Sequence, residues 1–544
     1  MGEVFGYQLV ARALKNEGAD TMFFIMGGPM LGAQDACKKE GLRMIDVRHE
    51  QAAAMMANAY ARVSGKAGVC SAASGPATTN LVTGLAHALA DAAPVVALGG
   101  ASPIGQFHWE AFQEIDQLSM MRPVCKWAGQ AINPRRIPEY INIAYRQAMN
   151  GRLGPAYLDL PGDVLYSRVN EEDVVWPAPA KAWHRIPGDP GLVQDAVNLL
   201  ARAERPVLVS GSGILWSDAS AELQQFVEAT GIPFYTTPQG RGVIPEDHPR
   251  CFLGARSLAF READVLMFIG TRFNYVIAYG RPPRFNPQAK VIQVNIDPAE
   301  IGRNRPVDIG IVGDAKTVLQ QMLELVAGKF EPQKDTPWIA ALREQHLKNQ
   351  ARMEPLLHSD VVPIHPLRLC KEVRDFLDRD AILVVDGQEI LNYGRQSIPT
   401  YVPGHRLNSG PFGTMGVGVP FGIGAKVAKP NKQVLVLHGD GSFGMNAMEM
   451  DTAVRHNIPI VTVISLNGGW TADPEGTKIG RYLGYQHYEK LMDAFGGYGE
   501  YVEKPQDIRP ALERAFASGK PAIVNVVTDY RARATTQRFT DYTT

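Results

Sequence analysis

VLVLHGDGSFGMNAMEMDTAVRHNIPIVTVISLNGGW, residues 434–470, decides the fold. Its apolar runs, 434–437 and 460–464, are short and rich in Val and Ile, as strands buried in a parallel sheet are. Between them residues 445–455 have helical spacing, so the stretch predicts a strand–helix–strand unit. That connectivity puts Asp440 at the carboxyl end of one strand and Asn467 at the carboxyl end of the next, beside the crevice where open α/β sheets bind ligands. The residue types suit a cation and a phosphate. A carboxylate and an amide oxygen are hard ligands for Mg²⁺. Gly439 and Gly441 allow close backbone approach, and a helix beginning near Ser442 would aim free N–H groups at an anion. A Gly-Asp-Gly alone is an ordinary tight turn; the weight lies in its spacing, with residues 442–466 and then Asn467.

Working outward, 544 residues exceed what one core organises and predict about three domains. A 45% hydrophobic and 20% charged composition is that of a globular protein. The net charge of −1 gives no footprint for nucleic acid or an anionic membrane, and no apolar run has the length of a membrane span. The five cysteines lack metal-like spacing and are expected to be reduced and buried, and the N-terminus starts an amphipathic helix. A cytoplasmic location is the expectation.

The first third alternates strands (21–27, 42–47, 67–74, 93–100, 155–161) with helices such as 50–64 and 78–90, predicting a parallel sheet covered on both faces. Glu50 opens an alanine-rich helix with no basic residue on its early turns; a carboxylate there also simply suits the helix dipole. Ser74-Gly75-Pro76 is a turn with Thr78 as a candidate cap, and Phe112 and Gln113 lie on a loop before a helix. A Pro-rich linker ends this region near residue 190. The middle region has its own strand rhythm. Gly211 and Gly213 follow a strand, but Trp216 stands where the third glycine of the dinucleotide fingerprint belongs. Asp297 ends the strand VIQVNID, where it either accepts ribose hydroxyls or caps the next turn. A second linker, about 330–362, leads to the last domain, expected to share the plan of the first.

The motifs RHEQAAAMMANAYARVSGKAGVC, SGPATTNLVTGLAHALADAAPVV, AFQEIDQ, RPVLVSGSG, GTMGVGVPFGIGAKVA and GDGSFGMNAMEMDTAVRHNIPI resemble, in order, those of the acetolactate synthase superfamily of thiamine diphosphate (ThDP) enzymes. The resemblance implies an α/β fold of three doubly wound parallel-sheet domains. These are a pyrimidine-binding domain (1–172), a nucleotide-binding-like central domain (190–330) and a diphosphate domain (362–530), with a tail (531–544) placed as an active-site lid. It also implies active sites shared across a dimer, usually within a homotetramer. Carried over, Glu50 is the activating glutamate, and Asp440, Asn467 and the Gly469 carbonyl hold Mg²⁺. Met415 is the wedge that bends ThDP, and Ser74, Gly387, Gln388, Gly413, Gly439, Gly441 and Ser442 line the cofactor.

Within the superfamily the Asn-Gly-Gly turn at 467–469, GTRFNYVIAYG, DAFGGYGEYVEKP and the tail DYRARATTQRF are similar to the oxalyl-CoA decarboxylase and 2-hydroxyacyl-CoA lyase branch. There the central domain takes an ADP-like nucleotide or CoA, which nominates Arg152, Gly211, Gly213, Arg272 and Asp297, with Arg531, Arg533 and Arg538 for phosphates or the lid. The decarboxylases, however, carry Tyr-Glu where this chain has Phe112-Gln113, and Ile-Tyr where it has Trp470-Thr471. Phe112-Gln113 is similar to acetolactate synthases instead. The reading that fits both departures is a lyase that splits a 2-hydroxyacyl-CoA thioester into formyl-CoA and an aldehyde or ketone. Gln113 would then hydrogen-bond the substrate, and Phe112, Trp470 and Thr471 would shape its pocket. An acetolactate synthase-like carboligase acting on 2-oxo acids, an oxalyl-CoA decarboxylase and a non-catalytic cofactor-binding protein are the alternatives.

Overall fold

The computed structural model describes residues 2–180, 185–326 and 336–534. Three parallel sheets organise it, with a small antiparallel pair, Glu3–Phe5 and Arg168–Asn170, beside the first. The first runs Arg43–Asp46, Thr21–Phe24, Gly68–Ala72, Val95–Ala101, Ala156–Pro161, Trp127–Gln130 from edge to edge. The last runs Arg406–Asn408, Ile382–Asp386, Val434–Gly439, Val461–Leu466, Ala522–Val527, Tyr498–Val502. Numbered within each sheet by chain order, both read 2-1-3-4-6-5, so the shared plan expected for the two ends of the chain is present strand for strand. Between them lies a five-stranded sheet of order 2-1-3-4-5, built from Phe234–Thr236, Pro206–Ser210, Val265–Ile269, Lys290–Asn295 and Ile309–Val312. In all three the chain order reverses between strands 1 and 3, which opens a crevice beyond their carboxyl ends.

The strand–helix–strand reading of 434–470 holds with one correction. Strands Val434–Gly439 and Val461–Leu466 pair in parallel, Gly439 opposite Ser465. The connecting segment is not one helix from 445 to 455. A short helix, Asp440–Gly444, is followed by turns and then by helix Glu449–Arg455. The break coincides with a contact to another segment. Asn446 turns its amide onto the Gly416 carbonyl at 2.7 Å, and the backbone answers with successive i→i+3 bonds from Met445, Asn446, Glu449 and Met450.

Helix Glu50–Ser64 forms as the sequence predicts. The His49 ring caps its start by accepting from Gln51 N, and Gly65, at φ +74°, ends it. It is buried nearly all round because it lies between its own sheet and helix Gly418–Ala428 of the last domain. Small side chains are what allow this: a Cβ on Gly424 would lie 2.3 Å from the Met56 carbonyl oxygen. One core therefore joins the first and last domains. All five cysteines are free and buried. Among the described residues no helix is long and apolar enough to cross a membrane.

Candidate active site

At the switch of the last sheet, three strand ends bring together the turn after Asp386, the Gly-Asp-Gly turn and the Asn-Gly-Gly turn. Asp440 is buried, with Oδ1 accepting from Gly441 N and Oδ2 from Gly468 N, each at 2.8 Å. Burial raises its carboxyl pKa to about 6, against the pull of those backbone donors. Asn467 Oδ1 accepts from Gly469 N at 3.2 Å, which folds the next turn back on itself. The Ser442 hydroxyl donates to the Gly439 carbonyl at 3.0 Å. Gly441 admits no side chain, since a Cβ there would lie 2.8 Å from the Trp470 ring. Trp470 N in turn donates to the Arg481 carbonyl, and Thr471, at φ +49°, donates its hydroxyl back to Trp470 O. A buried carboxylate and an amide oxygen at adjacent strand ends form a hard-oxygen donor set that fits Mg²⁺. The bare backbone at Gly387 and Gly439, where a Cβ on Gly387 would come 3.1 Å from Gly439 N, fits a diphosphate lying close above it.

On the first sheet, Glu50 is buried at the head of its helix, with Oε2 accepting from Asn80 Nδ2 at 2.9 Å. Ser74 follows the third strand, the place Asp440 holds in the last sheet, and its hydroxyl donates to Gln113 Oε1 at 2.8 Å. Phe112 is 85% exposed. Thr78 is not the cap that the sequence suggested. Gly75 occupies that position, and the Thr78 hydroxyl donates to the Ala73 carbonyl at 2.9 Å.

A cavity of about 1210 Å³ joins the last sheet to the central one. Gly387, Gln388, Gly413 and Met415 line one side, and Ser212 and Arg272 the other. Glu50, Gln113, Asp440 and Asn467 are not among its lining residues. Sequence reasoning missed its charge. Arg256, Arg261, Arg284 and Arg395 line it along with Arg272, against the single carboxylate of Asp91. Burial and neighbouring arginines lower the Arg256 pKa to about 10. Gly211 and Gly213 sit at the cavity's central-sheet turn, where a Cβ on either would lie within 2.5 Å of Gly270.

The remaining nucleotide candidates, Arg152, Asp297, Arg531 and Arg533, are not among the residues that line this cavity. Arg152 Nη2 donates to the Leu89 carbonyl at 3.4 Å and Arg272 Nη2 to that of Ala90, so both guanidiniums sit on the C-terminal end of helix Pro76–Asp91, where a cation is favourable. Asp297 caps the following turn, accepting from Ala299 N at 3.0 Å. In the tail Arg531 pairs with Asp529 at 2.9 Å, and Arg533 donates to the Ala472 carbonyl at 3.4 Å. Ala534 N is held by Glu389 Oε2, the residue that follows the Gly387-Gln388 corner and opens the next helix. Arg538 lies outside the described residues.

Three α/β sheets with crevices at their strand ends, two of them joined by an arginine-lined cavity, have the architecture of a multidomain cofactor enzyme. Three family models match it in order: the thiamine pyrophosphate enzyme N-terminal TPP binding domain over residues 5–120, the central domain over 193–322, and the C-terminal TPP binding domain over 391–526. A probable acetolactate synthase from Mycobacterium bovis is 35% identical over 96% of this chain and 95% of its own. A 2-hydroxyacyl-CoA lyase from Oryza sativa is 34% identical over 98% and 97%. The human 2-hydroxyacyl-CoA lyase 1 is 31% identical over 99% and 96%. The chain belongs to the thiamine pyrophosphate enzymes, which make or break carbon–carbon bonds.

Proposed function

We propose that this protein is a ThDP- and Mg²⁺-dependent lyase that cleaves, or in reverse forms, the carbon–carbon bond of a 2-hydroxyacyl-CoA, giving formyl-CoA and an aldehyde or ketone. The observation that carries this reading is the cavity, where five arginines and one carboxylate run from the central sheet to the turns at Gly387 and Met415. A polyphosphate handle would anchor among the arginines while its acyl end reaches the cofactor. ADP bound there is part of the same proposal. When bound, ThDP would supply a nucleophilic carbon and a cationic ring able to accept the electron pair of a breaking bond.

The chain's own residues set the conditions for that chemistry. Asp440, Asn467 and the Gly469 carbonyl would hold Mg²⁺, and the backbone at Gly387, Gly439, Gly441 and Ser442 would hold the diphosphate. Glu50, buried at the head of an alanine-rich helix, would hold and move a proton on the aminopyrimidine side. Phe112, Gln113, Trp470 and Thr471 would contact the substrate. The proposal includes the domain division at 1–172, 190–330 and 362–530, a homodimer or homotetramer, and a tail that closes over the site. An acetolactate synthase-like carboligase is the second reading, favoured by Phe112-Gln113 and by relatives of that name.

The test incubates the protein with ThDP, Mg²⁺ and a panel of 2-hydroxyacyl-CoA thioesters, oxalyl-CoA and 2-oxo acids, followed by mass spectrometry. Formyl-CoA with a carbonyl product from a 2-hydroxyacyl-CoA supports the lyase. Acetolactate from pyruvate, with thioesters untouched, overturns it for the carboligase.

A further inference from the structure

Beneath the Ser74–Gln113 contact lies a buried polar group that the proposed chemistry does not use. Gln117, Tyr157 and Asp159 are all buried, Tyr157 completely. Gln117 Nε2 donates to Asp159 Oδ1 at 2.6 Å, to the Gly100 carbonyl at 2.9 Å and to Tyr157 Oη at 3.1 Å. Tyr157 donates its own proton to Asp159 Oδ1 at 2.7 Å, and Gln130 donates to Oδ2 at 2.8 Å. Every group facing the Gln117 nitrogen is an acceptor, so its amide has one workable orientation, and Oε1 must point the other way. There it accepts from Gly75 N at 2.7 Å.

Gly75 passes this constraint on. It sits at φ +55°, ψ −111°, a conformation other residues avoid, and a Cβ there would lie 2.5 Å from the Gln113 carbonyl oxygen. The turn is thus pressed against Gln113, itself at φ +59°. The Ser74 hydroxyl lies 2.8 Å from Gln113 Oε1 and 3.4 Å from the Gly28 carbonyl, and it donates to the nearer oxygen. Gln113 Oε1 is thereby occupied, and Nε2, which has no hydrogen bond among the described residues, is the end left to meet a ligand.

We infer that Gln117 is a positioning residue, oriented by Asp159 and Tyr157, which acts through Gly75 and Ser74 to present Gln113 as a hydrogen-bond donor to an oxygen of the substrate. The inference rests on the proposed substrate-contacting role of Gln113 and adds its polarity and what sets it. A donor amide suits a carbonyl oxygen or an oxygen gaining negative charge, and discriminates against substrates that offer only a donor at that point.

The experiment uses the full chain with ThDP and Mg²⁺. Gln117→Leu keeps the side-chain size and removes both ends of the relay. It is expected to lower kcat at least 10-fold, with KM and ThDP affinity within about 2-fold, and to speed amide exchange of peptides spanning 107–117 about 10-fold. Wild-type kcat together with unchanged exchange would overturn the inference. Where the leucine variant fails to fold, Gln117→Glu decides. Its protonated carboxyl can donate to Asp159 and accept from Gly75 N as the amide does, so turnover should approach wild type at low pH. It should then fall as pH rises, through an ionisation the wild type lacks. The groups facing that pair are Asp159, Tyr157, Gln130 and the Gly100 carbonyl, with Asp116 and Cys125 near them. A pH profile matching wild type would sink the relay. A wild type that turns over nothing on the panel, while Gln117→Leu still loosens residues 107–117, refutes the lyase reading and leaves the clamp standing.

Discussion

Glu50 offers the sharpest test at the scale of a single residue. Its Oε2 is held by Asn80, and glutamine can accept that bond with its own amide oxygen. Glu50→Gln should therefore fold normally, with a thermal midpoint within about 2 °C of wild type. It cannot give or take a proton, so ThDP-dependent turnover should fall by about 10²–10⁴-fold. Retained turnover would remove Glu50 from the proposed chemistry. Asp440 and Asn467 were legible in the sequence because each stands at the carboxyl end of a strand, whereas Glu50 was marked out by the family resemblance, since a carboxylate at a helix start is ordinary. Gln117 was not. Its significance comes from Asp159, 42 positions away, and Gly75, also 42 away, and no local pattern encodes such a meeting.

At the scale of elements, helix Glu449–Arg455 of the last domain grips the segment leading into helix Glu50–Ser64 of the first. Glu449 is buried and accepts from Arg48 N and His49 N at 3.1 Å and from the Thr452 hydroxyl at 2.7 Å. Arg455 adds a second grip on Asp46. Burial raises the Glu449 carboxyl pKa from 4.5 to about 7, more than its donors lower it. The folded state thus holds this proton more tightly than the unfolded chain does. The associated stability is complete below about pH 4.5 and is lost as pH rises through about 7, by about 3 kcal/mol. Glu449→Gln stays neutral. Chemical denaturation at pH 5 and pH 8 should therefore show a smaller loss for the variant than for wild type, and equal losses would contradict the assignment. The helix itself was misread as continuous from 445. Periodicity records which residues share a face, and it is blind to Asn446 being drawn onto Gly416 from another segment.

At the scale of the whole molecule, the repeated order 2-1-3-4-6-5 places a crevice at the same strand ends in the first sheet and in the last. That plan was readable from alternating strands and helices, whereas the arginine cavity was not. Arg256, Arg261, Arg272, Arg284 and Arg395 are scattered through 140 residues and converge only when the central sheet docks on the last. Arg261 separates ligand binding from architecture, because it lines the cavity and makes no ion pair among the described residues. Arg272, by contrast, also braces Ala90. Arg261→Ala should leave stability unchanged and raise KM for a CoA thioester about 3–10-fold, about 0.7–1.4 kcal/mol of lost attraction. The difference from wild type should shrink as salt rises from about 0.05 to 0.3 M, since screening removes what the charge contributed. KM for a 2-oxo acid without a phosphate handle should not move. An equal rise for both substrate classes would mean that the arginine shapes the cavity instead of recognising an anion, and the case for a CoA substrate would lose its main support.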